Sequence, residues 1–149
     1  MNKPMNRQEI SATVIATSQL YNEIALTISQ KLLADLQDKK IDFDHFMSVQ
    51  ANVVRPLIVA STKMVLDASI VVMDGLDEHF QAILEGSNRL KSKISKIANV
   101  EKIIQTASLV LSTAALIVTF VGAPNLVSAQ AAVSSIGSLI GSLKPEDDG

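Results

Sequence analysis

Few side chains in this sequence are equipped for chemistry. There are two histidines, no cysteine and many serines. His45 stands three residues after Asp42, a spacing that puts both on one helical face and could hold a metal. Di-iron bundles need a carboxylate-x-x-His pair twice, with two further glutamates. The second pair is missing, because Leu76 occupies the matching place before His79. Asp74, Asp77, Glu78 and His79 form an acidic cluster beside Gly75, which reads as a solvated helix end near a turn. No Gly-x-Ser-x-Gly elbow and no glycine-rich phosphate loop occurs. Without cysteine there is no thiol nucleophile, zinc ribbon or iron–sulfur site. The expectation is a protein that is not an enzyme, with no metal and no cofactor.

What the sequence does contain is an uneven distribution of charge. Residues 1–88 carry seven basic and eleven acidic side chains. Residues 89–102 then carry Arg89, Lys91, Lys93, Lys96 and Lys102 against Glu101 alone. Residues 103–143 carry no charge at all, and the tail carries Lys144 against Glu146, Asp147 and Asp148. A helix on a globular surface normally shows charged residues at every turn or so. Over these 41 residues the solvent face is made of Ser, Thr, Gln and Ala instead.

The elements that must position these residues are helices. The 149 residues are 48% hydrophobic and 19% charged, with six Gly and four Pro. That is too apolar for a disordered chain and has too few breakers for a loop-rich one. The net charge of −2 argues against a nucleic-acid partner. Ile10, Val14, Thr17, Tyr21, Ile24, Ile28, Leu32 and Leu36 recur at spacings of three and four, predicting a helix from Arg7 to Asp38. Lys39–Asp42 reads as a turn, with Asp42 or Asp44 as the next cap. A second helix is expected from Phe43 to Met73, kinked or broken before Pro56, with Lys63 and Asp67 paired on its polar side. From Leu76 the beat Leu76, Phe80, Ile83, Ser87, Leu90, Ile94, Ile97, Glu101, Ile104 describes a bundle seam facing Tyr21, Ile24 and Ile28. This helix is expected to run unbroken to Val121. Gly122-Ala123-Pro124-Asn125 is the strongest turn, and a last helix follows to Leu143.

The turn divides the uncharged region into two arms, 103–121 and 125–143. Each would be about 28 Å long as a helix, close to the roughly 30 Å apolar core of a bilayer. Lys102 and Lys144 mark the same end of the hairpin. The residues expected to enter lipid are Leu109, Leu111, Leu116, Ile117, Val118, Phe120, Val121, Leu126, Ile136 and Ile140. Stripes of small residues run along both arms: Gln105, Ser108, Ser112, Ala115 and Thr119 on the first, and Ser128, Ala131, Ser135, Ser138 and Ser142 on the second. Gly137 and Gly141 form a GxxxG, which lets two helix backbones approach closely. The association set is therefore Ser108, Ser112, Ser135, Gly137, Ser138 and Gly141. Arg89, Lys91, Lys93, Lys96 and Lys102 would meet lipid headgroups, at roughly 1 kcal/mol each near an anionic leaflet. No Trp is present, and Phe120 is the single aromatic residue in either arm. An aromatic belt is thus lacking, which fits conditional insertion better than permanent residence.

This organisation, carried by 103–143 and the heptad helix Leu76–Glu101, resembles α-helical pore-forming toxins of the cytolysin A and haemolysin BL type. The resemblance implies a bundle of long helices that hides a hydrophobic head until membrane contact. It departs from that pattern in its short length and in the C-terminal position of its head, as an accessory component of such a system would. Holins and secreted translocators share the hairpin logic.

The expected fold is all-α, an elongated helical bundle with a C-terminal uncharged helical hairpin. Its parts are an amphipathic bundle over 1–102, the hairpin over 103–143 packed on it or extending from it, and a mobile acidic tail over 144–149, one domain overall. The expected function is membrane insertion of the hairpin followed by oligomerisation. The alternative is a soluble interaction protein that buries the same surface in a homo-oligomer or against a helical protein partner. The N-terminal segment is too interrupted by Ser, Thr and Gln to read as a signal peptide. The expected location is soluble, with conditional membrane association.

Overall fold

The computed structural model describes residues 6–66 and 76–143. Helix accounts for 88% of them, and no strand occurs among the described residues. Six α-helices follow in order: α1 Arg7–Gln37, α2 Phe43–Val49, α3 Arg55–Leu66, α4 Asp77–Ser95, α5 Val100–Gly122 and α6 Leu126–Ser142.

Local chemistry sets the boundaries. Asn6 caps α1 in a capping box with Glu9, so two of the helix's unpaired N–H groups find side-chain acceptors. At the other end Lys39 takes a left-handed conformation (φ 61°). Its N–H donates to Leu36 O, and the Lys40 N–H donates to Asp35 O. This is a Schellman ending built on a lysine where glycine is usual. Asp42 then caps α2 by accepting from the His45 N–H at 2.7 Å.

Between α2 and α3 the chain stays helical through one π turn, Gln50–Val54, closed by the Arg55 N–H on Gln50 O. Pro56 explains it. Proline has no N–H to donate, and its ring crowds the carbonyl four residues back. Widening the preceding turn relieves that clash without breaking the helix. The segment expected to continue to Met73, and the pairing of Lys63 with Asp67, lie outside the described residues.

One expectation is corrected. The helix from Leu76 does not run to Val121. It ends at Ser95, and α5 starts afresh at Val100. Asn99 is the cause: its backbone is extended and its Oδ1 accepts from the Lys102 N–H at 3.0 Å. An asparagine that caps a new helix wins over a seam that would otherwise continue. The break folds α5 back antiparallel to α4.

The helices close into a ring in the order α1, α4, α6, α5, α3, with α1 also touching α5. Tyr21 meets Ser87 and Lys31 meets Ile97, so α1 and α4 run parallel. Ser18 meets Ser61 and Ser29 meets Gln50, so α3 runs against α1. Gly86 faces Ile136, and Lys93 reaches Leu143, so α6 runs with α4. One core fills the ring, centred on Tyr21, Ile24, Leu57, Met64, Leu90 and Phe120. Phe80 and Phe120 stack at 4.6 Å between centroids, tilted by 44°. The expected seam of Leu76, Phe80, Ile83, Leu90, Ile94 and Ile97 with α1 is buried.

Candidate functional site

The uncharged hairpin is α5, the Gly122–Asn125 turn and α6. Helix α5 has no internal Gly or Pro, so it propagates for 23 residues, about 35 Å. Its last turn closes with the Ala123 N–H on Thr119 O. Asn125 opens α6 in a capping box with Ser128, whose N–H donates to Asn125 Oδ1 at 2.9 Å. The expected arms of 19 and 19 residues are thus unequal, with α6 shorter at 17. By length and composition α5 alone among the described helices is long and apolar enough to cross a membrane, and α6 is a shorter apolar helix.

The hairpin is folded into the bundle. Against α1, α3 and α4 it buries Ile117, Phe120, Val121 and Ile136, four of the residues expected to meet lipid. Leu111, Leu116, Val118 and Ile140 are half-buried beside that core. Leu109 and Leu126 remain exposed, at 51% and 55%, with Val127 at 77%. The reason is geometric. Helix α5 carries Gln, Ser, Ala and Thr along one face, which stays outside, and turns its largest apolar groups toward the nearest apolar partner, the rest of the bundle.

The outer face carries the small residues. Ser108, Ser112, Gly137, Ser138 and Gly141 are exposed, and Ser135 is half-buried. Between the arms lies a groove of about 480 Å³ lined by Ser112, Thr113, Ser134, Ser135, Ser138 and Ser142 among others. Several hydroxyls of this groove and of the adjoining outer face bond within the hairpin. Ser112 donates to Ser108 O at 3.3 Å, Thr119 to Ala115 O at 3.1 Å and Ser142 to Leu139 O at 2.8 Å. Thr113 and Ser135 bond to each other across the arms at 2.7 Å. Among the described residues nothing lies within 4 Å of a Cβ built on Gly137 or Gly141, so the GxxxG face is open there.

The five basic residues do not form one patch. Lys91 pairs with Glu23 on α1. Lys93 donates to the Leu143 carbonyl at 3.4 Å and so supports the C-terminal end of α6, where a cation opposes the helix dipole. Arg89 and Lys96 are exposed, and Lys102 is half-buried in the first turn of α5.

One of the chemical candidates takes a structural role. Asp42, expected as a partner of His45 on a metal, spends its carboxylate on the His45 backbone as a helix cap. No group of three or more potential metal-binding side chains occurs among the described residues. Asp74 lies outside them.

Two features were not apparent from residue order. One is a second groove, of about 460 Å³ between α3 and α5, with Arg55 and Lys63 on its walls. The other is Gly86, a helical residue without a side chain, which is the place where α6 presses on α4. No family model matches the chain, and no curated protein or solved structure proves similar to it.

Proposed function

We propose that this protein is a non-enzymatic, membrane-active helical bundle that stores the α5–α6 hairpin in folded form and inserts it on contact with lipid, as a pore-forming toxin-like or holin-like component. The observation that carries this reading is the outer face of the hairpin. It bears no ionised group from Ile103 to Leu143 and exposes Leu109, Leu126 and Val127. Several of its hydroxyls already bond to their own helix or across the arms, so lipid would strip those of no partner. Arg89 and Lys96 are the cations left exposed for an anionic leaflet. The open Gly137–Gly141 face supplies a contact between hairpins after insertion.

A second reading is favoured by the depth of Ile117 and Phe120 in the common core, 1% and 0% exposed. On that reading the hairpin never leaves, and the protein is a soluble interaction module that pairs through the same small-residue face. Because Ile117 is buried in the bundle, an Asp there would unfold the soluble form and separate nothing. Leu109 and Val127 are better probes. Leu109→Asp and Val127→Asp should leave the thermal midpoint nearly unchanged. In lipid, Asp at the centre of a spanning helix costs roughly 2.5–3.5 kcal/mol. Leu109→Asp should therefore cut leakage from anionic vesicles by about 100-fold. Wild-type protein that floats with no vesicle of any charge would remove the membrane reading and leave the interaction module.

A further inference from the structure

The groove between α3 and α5 borders the small-residue stripe of α5 at Ala115, on the flank where α5 meets the rest of the bundle. Its floor is apolar and low: Ala51, Val59, Ala60, Leu111, Ala115 and Val118. Its α3 wall carries Arg55 and Lys63, both exposed, and neither makes an ion pair or hydrogen bond with another described residue. They are eight residues apart on one helix, about 12 Å along its axis. Cations with no partner among the described residues, at both ends of an apolar trough, set a definite complement. A single-headed anionic amphiphile would match one of them and leave the other unmatched. A helix with carboxylates two turns apart and apolar residues between them would match both, with three alanines allowing close backbone approach.

We propose that the α3–α5 groove docks an amphipathic helix of another protein, held by an apolar stripe on the floor and by two carboxylates on Arg55 and Lys63. The proposal does not depend on membrane activity. It has a consequence for it, because such a helix would bridge α3 to α5 and clamp the hairpin in its stored position.

The test uses the full-length protein and a fluorescein-labelled, alanine-based helix of roughly 16 residues, long enough to be partly helical in water. It carries Glu at two positions seven apart with Leu between them on the same face. Its control replaces both Glu with Lys. Anisotropy should show saturable binding of the Glu peptide and none of the Lys peptide. Arg55→Glu with Lys63→Glu should weaken binding by at least about tenfold with circular dichroism unchanged, since both side chains are exposed. Ala115→Phe, which fills the floor, should weaken it as much with both cations retained. Lauric acid should not displace the peptide. The proposal is overturned by absence of binding up to about 1 mM, which would mean less than roughly 4 kcal/mol of affinity. Equal binding of the two peptides, indifference to the charge reversal, or displacement by lauric acid would overturn it as well.

Discussion

Gly86 on α4 and Ile136 on α6 stand so close that a Cβ built on Gly86 would lie 2.6 Å from Ile136 Cγ2. The absence of a side chain at Gly86 thus sets how tightly the hairpin sits on α4. Gly86→Ala should gain up to about 1 kcal/mol of helix propensity. It should lose about 1–3 kcal/mol to overpacking, because a β-branched Ile in a helix has little rotamer freedom to yield. The expected result is a lower thermal midpoint, relieved by Ile136→Leu, which has no methyl on Cβ. On the membrane reading the same variant should raise vesicle leakage by loosening the stored hairpin.

Phe80 and Phe120 join α4 to α5 at the end of the bundle where the hairpin turns. Phe80 is 5% exposed and Phe120 is 0% exposed. Phe80→Ala should cost roughly 3–5 kcal/mol, measured by urea unfolding. A loss below about 1 kcal/mol is what a surface site would give and would contradict the stacked pair.

Tyr21 and Ser87 form a buried hydroxyl pair at 2.9 Å, where α1 crosses α4. Burial pushes the Tyr21 phenol above its ordinary range, and the bond from Ser87 opposes this in part. The folded protein therefore holds the phenolic proton to higher pH than the unfolded chain does. The associated stability is complete below about pH 10, where an unfolded tyrosine begins to ionise, and falls as pH rises beyond it. Chemical unfolding at pH 9 and pH 11 should show a steeper loss in wild type than in Tyr21→Phe. At neutral pH that variant should be weaker by about 1 kcal/mol for the lost hydrogen bond.

Asn99 is the residue that makes α4 and α5 two helices. Asn99→Ala removes the acceptor for the Lys102 N–H and should cost about 0.5–2 kcal/mol. Asn99→Asp should keep most of it, since a carboxylate caps as well and favours the positive end of the helix. Equal stability of the Ala and Asp variants, by thermal melting, would show that the cap is not what starts α5.

The order of residues alone determines the all-α class, the buried face of α1, the seam on α4 and the turn at Gly122–Asn125. These follow from periodicity and from Gly and Pro, which act over a few residues. Pro56 signals a disturbance in advance, but whether the helix breaks or widens depends on the neighbours that hold both halves in line, and here a π turn keeps them together. Asn99 is legible as a cap only in hindsight, because the apolar beat passes through Ile97 to Ile104 without a fault. The sequence also marks 103–143 as uncharged. The stripe Gln105, Ser108, Ser112, Ala115 and Thr119 marks the side of α5 that stays outside, but it does not say which helices cover the opposite side. The tertiary structure decides this by packing Ile117, Phe120 and Val121 against α1, α3 and α4 and leaving Leu109 and the glycines of α6 outside. It also decides the fate of the lysines: Lys91 and Lys93 sit two residues apart, and a helix sends such neighbours to different flanks, one toward α1 and the other toward α6. The groove with Arg55 and Lys63 belongs wholly to the tertiary level, because its floor joins residues 51–60 to residues 111–118, and no local pattern brings them together.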